Sequence, residues 1–147
     1  MRFWDSSALV PLLVQERTTE AVLDLYRDDS GVLTWWGTQV ECASALSRLA
    51  REGGLKAANS AKSFRRLSGL AETWHEVEPG EMVRETAQRF LRVHDLRAAD
   101  ALQLAAAFLA AEGHPRTLEI VSLDQRLNTA ALLEGFEVID LDQESTP

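Results

Sequence analysis

The sequence predicts an α/β fold: a short, mainly parallel central sheet covered by helices on both faces. Short apolar segments, such as 32–35 and 118–122, alternate along the chain with longer segments of helical periodicity. In segment 97–111, only Asp100 and Gln103 interrupt the apolar run that follows Arg97, which is typical of a buried helix. The chain has 147 residues, 46% of them hydrophobic, enough for one domain with a sizeable core.

The first half of the chain predicts three strands separated by helices. Strand 2–5 is followed by a helix to about residue 14, and a helix over 18–27 precedes strand 32–35. Thr38 is a candidate N-cap for a helix that runs to residue 52, where Gly53 and Gly54 would end it. A further helix over 55–74 leads into a short strand at 75–77.

The second half continues the same alternation. Pro79 begins a helix to about residue 94, and the apolar helix 97–111 ends before Gly113. Strand 118–122, helix 125–134 and strand 137–140 complete the fold. We therefore predict one domain over residues 1–141 and a polar C-terminal tail over 142–147.

Two acidic residues lie at the carboxyl ends of predicted strands. Asp5 comes after Phe3-Trp4, and Asp124 comes after an apolar segment that ends at Leu123. In a parallel sheet, ligands bind beyond the carboxyl ends of the strands, so both side chains should project at that edge. Each has a simpler interpretation as the N-cap of the following helix.

Glu41 and Asp100 lie in the first turns of two other predicted helices. Helix N-termini favour negative charge, and Glu41 alone could be a surface residue. Asp100 is harder to dismiss because its neighbours are apolar and a buried carboxylate is costly unless paired or bound to a cation. If both helices start at the same sheet edge, four carboxylates converge there.

Four converging carboxylates predict a site for a hard divalent cation. Oxygen ligands select Mg²⁺ or Mn²⁺ over zinc or copper. Such an ion can activate a water and stabilise the charge that develops on a phosphate during cleavage. We predict Asp5 and Asp100 as the main metal ligands, assisted by Glu41 and Asp124.

Charge and composition restrict the possible functions. The formal net charge of −8 argues against a generic nucleic-acid binder but permits a cation site or a basic partner protein. Cys42 is the only cysteine, which excludes an internal disulfide and a cysteine zinc cluster. The apolar stretches are too short for a membrane span, and the N-terminus has no apolar signal core before Asp5. We expect a cytoplasmic protein that does not contact a membrane.

Two other features allow more than one interpretation. Residues 48–66 contain six basic residues against Glu52 alone, which indicates a solvated helix face or, less simply, a phosphate-binding patch. Trp35 and Trp36 could pack at a strand end, form a protein interface or stack a base. No glycine-rich phosphate loop or nucleophile-elbow motif is present.

Four segments, in this order and spacing, resemble the PIN-domain proteins and specifically the VapC-like toxins of prokaryotic toxin–antitoxin pairs. These are Phe3-Trp4-Asp5-Ser6-Ser7-Ala8, then Glu41 with Ala45-Leu46-Ser47-Arg48-Leu49, then Leu96-Arg97-Ala98-Ala99-Asp100-Ala101-Leu102, and finally Val121-Ser122-Leu123-Asp124-Gln125. The resemblance covers nearly the whole chain.

The resemblance implies a PIN-like α/β/α sandwich and a Mg²⁺- or Mn²⁺-dependent endoribonuclease that acts as a toxin. The catalytic acids of the family fall on Asp5, Glu41, Asp100 and Asp124, and Ser7 and Ser122 are supporting residues. Such toxins usually form homodimers and are inhibited by an antitoxin, for which the acidic chain suggests a basic tail. The alternative is a non-catalytic acidic module on the same fold that binds protein or RNA.

Overall fold

The computed structural model describes residues 1–141, so the predicted tail over 142–147 lies outside the described residues. In chain order the elements are β1 (Arg2–Trp4), α1 (Ser6–Leu13), α2 (Thr19–Asp28), β2 (Val32–Trp35), α3 (Thr38–Arg51), α4 (Ala57–Thr73), β3 (His75–Val77), α5 (Glu81–Val93), α6 (Ala98–Ala110), a 3₁₀ turn (Pro115–Thr117), β4 (Glu119–Val121), α7 (Gln125–Glu134) and β5 (Glu137–Ile139).

The five strands form one parallel sheet in the order β3-β2-β1-β4-β5. The chain builds outward from β1 to β3 and then returns to add β4 on the other side of β1. The point where the strand order reverses therefore lies between β1 and β4, and in open α/β sheets this switch point is where ligands bind.

Helices cover both faces of the sheet, as predicted, because successive strand residues alternate between two cores. Phe3 and Ile120 belong to the core under α5, α6 and α7. Trp4 and Val121, the next residues along the same strands, belong to the core under α1–α4. The α/β/α sandwich predicted from the sequence is confirmed.

The apolar helix α6 is buried along most of its length, with Leu104 and the three alanines after it 0% exposed. Its first turn is different, since Ala98 and Ala99 are exposed and Asp100 is half-buried. The expectation that Asp100 lies in the interior was therefore wrong. The apolar pattern of the sequence indicates that the helix is buried. It does not show that the N-terminal turn of the helix is exposed at the edge of the sheet.

Two predicted helix starts were also wrong. Thr38 is not an N-cap but the buried first residue of α3, and Gly37 occupies the cap position. Similarly, α5 begins at Glu81 after Gly80 rather than at Pro79. No helix within residues 1–141 is both long and apolar enough to span a bilayer.

Candidate active site

Asp5 lies at the carboxyl end of β1 and is only 4% exposed. It is the N-cap of α1, as one interpretation of the sequence had it: the Ser7 amide donates to Asp5 Oδ2 at 3.2 Å. The hydroxyls of Ser7 and Ser122 also donate to Oδ2, at 2.6 and 3.4 Å. These hydrogen bonds all end on one carboxylate oxygen, so the capping role leaves Oδ1 available.

Ser7 and Ser122 join the ends of β1 and β4. Ser7 Oγ accepts the Leu123 amide at 2.9 Å, and Ser122 Oγ accepts the Asp124 amide at 3.0 Å. Each hydroxyl thus accepts from the β4–α7 turn while it donates to Asp5. The two serines fix the Asp5 carboxylate relative to the turn that contains Asp124.

Asp124 is the N-cap of α7, where its Oδ1 accepts the Leu127 amide at 3.0 Å. Its negative charge is felt by two of the other acids, since it contributes to raising the pKa of both Asp5 and Asp100. Asp124, like Asp5, can therefore cap a helix and also belong to the acidic site.

Glu41 is half-buried in the first turn of α3, and two side chains contact it from different directions. Gln103 Nε2 donates to Glu41 Oε2 at 2.8 Å, and Ser6 Oγ donates to Oε1 at 3.4 Å. Burial raises the pKa of Glu41 to about 7; the hydrogen bond from Gln103 opposes this shift, and the charges of Asp5 and Asp100 add to it. Glu41 is therefore poised to exchange a proton near neutral pH.

Asp100 lies in the first turn of α6, where its Oδ2 accepts the Arg97 amide at 3.3 Å. Partial burial, followed by the charge of Asp124, raises the pKa of Asp100, whereas the Arg97 and Arg126 side chains oppose the shift. Burial likewise raises the pKa of Asp5, with Asp124 and Asp100 contributing to the rise.

The structure thus brings the four predicted acids to one edge of the sheet, at the switch point between β1 and β4. Within residues 1–141, however, no three His, Cys, Asp or Glu side chains are close enough to hold a metal ion between them. Mg²⁺ needs only one or two carboxylates, because it keeps most of its waters. The oxygen-only donor set and the mutual repulsion of the acids fit such a hydrated ion.

Gln103 is the residue that sequence reasoning did not assign to the site. It is 1% exposed, and besides Glu41 its Nε2 also contacts Thr38 Oγ1 at 2.8 Å. It therefore ties α6 to the first turn of α3. The signal was present in the sequence, as Gln103 is the second polar residue of the apolar helix, one turn after Asp100.

Gly37 allows the start of α3 to lie close to β2. A Cβ atom at this position would lie 2.6 Å from Trp35 Nε1, well inside van der Waals contact. Trp35 is buried, which agrees with the interpretation that it packs at a strand end. Its neighbour Trp36 is 52% exposed.

The basic residues of segment 48–66 lie along the second half of α3, the turn after it and α4, rather than beside the acids. Arg66 is engaged in the fold, since its guanidinium donates to the Leu13 carbonyl at 3.2 Å. Arg48, Arg51, Lys62 and Arg65 are exposed.

Comparison with known proteins identifies the family. The PIN domain profile matches residues 2–133. The chain belongs to the PIN-domain family. Two relatives from strains of Mycobacterium tuberculosis, Ribonuclease VapC45 and Ribonuclease VapC49, are each 31% identical to it over 136 residues, which is 92% of both chains.

Two solved structures share the fold of this PIN domain. One is a toxin–antitoxin complex from Klebsiella pneumoniae, with a TM-score of 0.61 and 14% identity over 96% of this chain and 98% of the other. The other is the crystal structure of PAE2754 from Pyrobaculum aerophilum, with a TM-score of 0.62 and 21% identity over 97% and 90%. At these identities the likeness supports the fold alone.

Proposed function

We propose that this PIN-domain protein is an endoribonuclease that hydrolyses phosphodiester bonds in RNA and acts as the toxin of a toxin–antitoxin pair. The ribonuclease names of the two mycobacterial relatives support the activity. The observation that carries the proposal is the convergence of Asp5, Glu41, Asp100 and Asp124 at the switch point of the sheet. Four mutually repelling carboxylates are unfavourable unless they bind a cation, so their presence argues for a catalytic rather than a purely adhesive site.

We propose that the activity depends on Mg²⁺ or Mn²⁺, which Asp5 and Asp100 would hold. Asp5 is suited to this role because Ser7 and Ser122 immobilise its carboxylate through Oδ2 and leave Oδ1 for a ligand. A divalent ion bound there would stabilise the charge that develops on the phosphate during cleavage.

Glu41 and Asp124 complete the proposed mechanism. The pKa of Glu41, about 7, suits a general base at neutral pH, and Oε1 is the atom that would receive a proton from the attacking water. Gln103 holds the other oxygen of Glu41 and so fixes the direction in which Oε1 points. Asp124, anchored as the cap of α7, closes the acidic site on the β4 side.

The proposed partners are RNA as substrate, a cognate antitoxin and a second copy of the chain in a homodimer. An antitoxin tail that covers the acidic site should carry arginine or lysine, because the site and the whole chain, at −8, are negatively charged. We place the reaction in the cytoplasm, where RNA and the antitoxin are available.

Incubation of the purified protein with total cellular RNA tests this proposal. We expect cleavage with Mg²⁺ or Mn²⁺, none in chelator, and a defined sequence around the mapped ends. RNA that is bound but left intact with both metals would instead support the non-catalytic binding module.

A further inference from the structure

A groove leads away from the acidic site along one side of α7. It has a volume of about 340 Å³ and lies between α7 and the residues that connect α5 to α6. Gln125 and Arg126 line the end next to Asp124, and Thr129 lies one turn further along the helix. The far end is formed by His94, whose Nε2 is 2.6 Å from Glu134 Oε2. One end of the groove therefore lies next to the acidic site.

Two charged residues line this groove, Arg126 on α7 and Asp95 between α5 and α6, and Arg126 is the one that can hold a phosphate. It lies in the first turn of α7, two residues after Asp124, and its positive charge opposes the rise in the pKa of Asp100. Among residues 1–141 its guanidinium makes no hydrogen bond or salt bridge, and its side chain is exposed. Arg97, the other cation that acts on Asp100, lies at the start of α6. Arg126 is thus an uncommitted cation beside four carboxylates.

A cation beside the acids would favour the binding of an RNA substrate. The phosphates on either side of the cleaved bond are repelled by the acids, and a bound divalent ion offsets only part of that charge. An arginine next to the site can hold a neighbouring phosphate by charge-assisted hydrogen bonds. The walls suit a base, since Val93 and Leu133 present apolar surface while Gln125 and Thr129 offer polar groups.

We propose that this groove binds the nucleotide adjacent to the cleaved phosphodiester bond. Arg126 contacts a backbone phosphate, and the base lies in the groove between Thr129 and the exposed apolar side chains of Val93 and Leu133. The volume, at the lower end of small-molecule sites, suits one nucleotide. The proposal rests on the ribonuclease function and adds where substrate selection occurs.

A binding experiment tests the groove without cleavage. Each of the four nucleoside 5′-monophosphates is titrated into isotope-labelled protein, and amide shifts are followed by NMR. We expect shifts at Thr129 and Ala130, and binding weakened about threefold to tenfold in Arg126→Gln, as for one partly exposed charge-assisted contact. Arg116→Gln is the matched control, because Arg116 is exposed in the 3₁₀ turn that precedes β4, at the opposite edge of the sheet.

A cleavage experiment tests the role in substrate selection. Arg126→Gln should raise KM with kcat unchanged and lower the log–log salt slope by about 0.7, the value for one phosphate contact with a single strand. Thr129→Leu, which narrows the groove, should change the preferred base at one position beside the cut. Ser68→Leu replaces an exposed hydroxyl on α4 and is the control: it should change neither KM nor the base preference.

The outcomes separate the two proposals. Failure of the wild-type protein to cut any RNA would overturn the ribonuclease function, whatever the nucleotides do. Cleavage by the wild type together with unchanged KM and base preference in both groove variants would overturn the groove alone. If Thr129→Leu changes the mass of the protein assembly in solution but not the cleavage pattern, the groove is a contact between subunits. That result would also overturn the proposal.

Discussion

Asp5 shows at the residue scale that a structural and a chemical role can share one side chain. The sequence allowed it to be an N-cap or a metal ligand, and the structure places the cap on Oδ2. Local sequence predicts capping well, because it depends on neighbours two or three residues away. Local sequence did not predict that Asp5, rather than Asp100, is the most buried of the four acids. Burial depends on how the whole chain packs.

Glu41 gives a prediction about pH and stability. In the metal-free folded protein its pKa, about 7, lies above the ordinary value of 4.5. The folded state therefore binds this proton more tightly than the unfolded state, and the contribution to stability is lost as pH rises from about 4.5 to about 7. In chelator, the wild-type melting temperature should fall across this range more steeply than that of Glu41→Gln.

Glu20→Gln is the matched control for this measurement. Glu20 is also an acid in the first turn of a helix, but it is exposed. Its replacement should leave the pH profile of the wild type unchanged. Parallel melting curves for wild type and Glu41→Gln between pH 4.5 and 7 would contradict the raised pKa of Glu41.

At the scale of elements, Gln103 connects α6 to α3 through Thr38 and Glu41. The sequence showed that Gln103 is a polar residue on an otherwise apolar helix. It did not show the partners of Gln103, which lie more than sixty positions earlier in the chain. Thr38 was misassigned for the same reason: a local rule proposed a cap, whereas its hydroxyl is buried against another helix. Strand positions, which depend on short apolar runs, were predicted more accurately than helix starts.

Replacement of Gln103 tests this connection. Gln103→Leu removes the donor to Thr38 and Glu41 and leaves buried acceptors unpaired, which should cost about 1–3 kcal/mol of unfolding free energy. Denaturant unfolding measures this cost. The variant should also have a lower kcat, because Oε2 of Glu41 is no longer held.

Gln39→Leu is the control, since Gln39 is exposed on α3. It should change neither stability nor kcat. Equal unfolding free energies for Gln103→Leu and wild type would mean that the link between α3 and α6 adds nothing to the fold.

At the scale of the whole molecule, the strand order determines the site. Parallel strands and their carboxyl-terminal acids could be predicted from the alternating pattern of the sequence. The order β3-β2-β1-β4-β5, which makes β1 and β4 neighbours, could not, because local patterns do not specify which strands pair. That order is what brings Asp5 and Asp124 together.

The repulsion among the acids predicts how stability responds to metal. Asp100→Asn removes one charge that Asp124 repels while it keeps the shape of the side chain. Near neutral pH in chelator, the variant should melt at a higher temperature than the wild type. The increase should be modest, since Asp100 is only half-buried.

Added Mg²⁺ should reduce this difference in melting temperature. An ion that binds only the folded protein stabilises it by mass action, so the wild type should gain more than the variant. Asp24→Asn, at an exposed acid on α2, should follow the wild type in both conditions. If Asp100→Asn and wild type melt together in chelator and respond equally to Mg²⁺, Asp100 is not part of a shared acidic metal site.

The rate of RNA cleavage by Asp5→Asn tests the central claim most directly. Measurements use Mg²⁺-containing buffer, a substrate cut by the wild type, and Asp24→Asn as the exposed-acid control. We predict that Asp5→Asn stays folded, since asparagine also caps helices, but cleaves at least about a hundredfold more slowly. A folded Asp5→Asn protein that cleaves RNA at the wild-type rate would contradict the assignment of this acidic site as the ribonuclease centre.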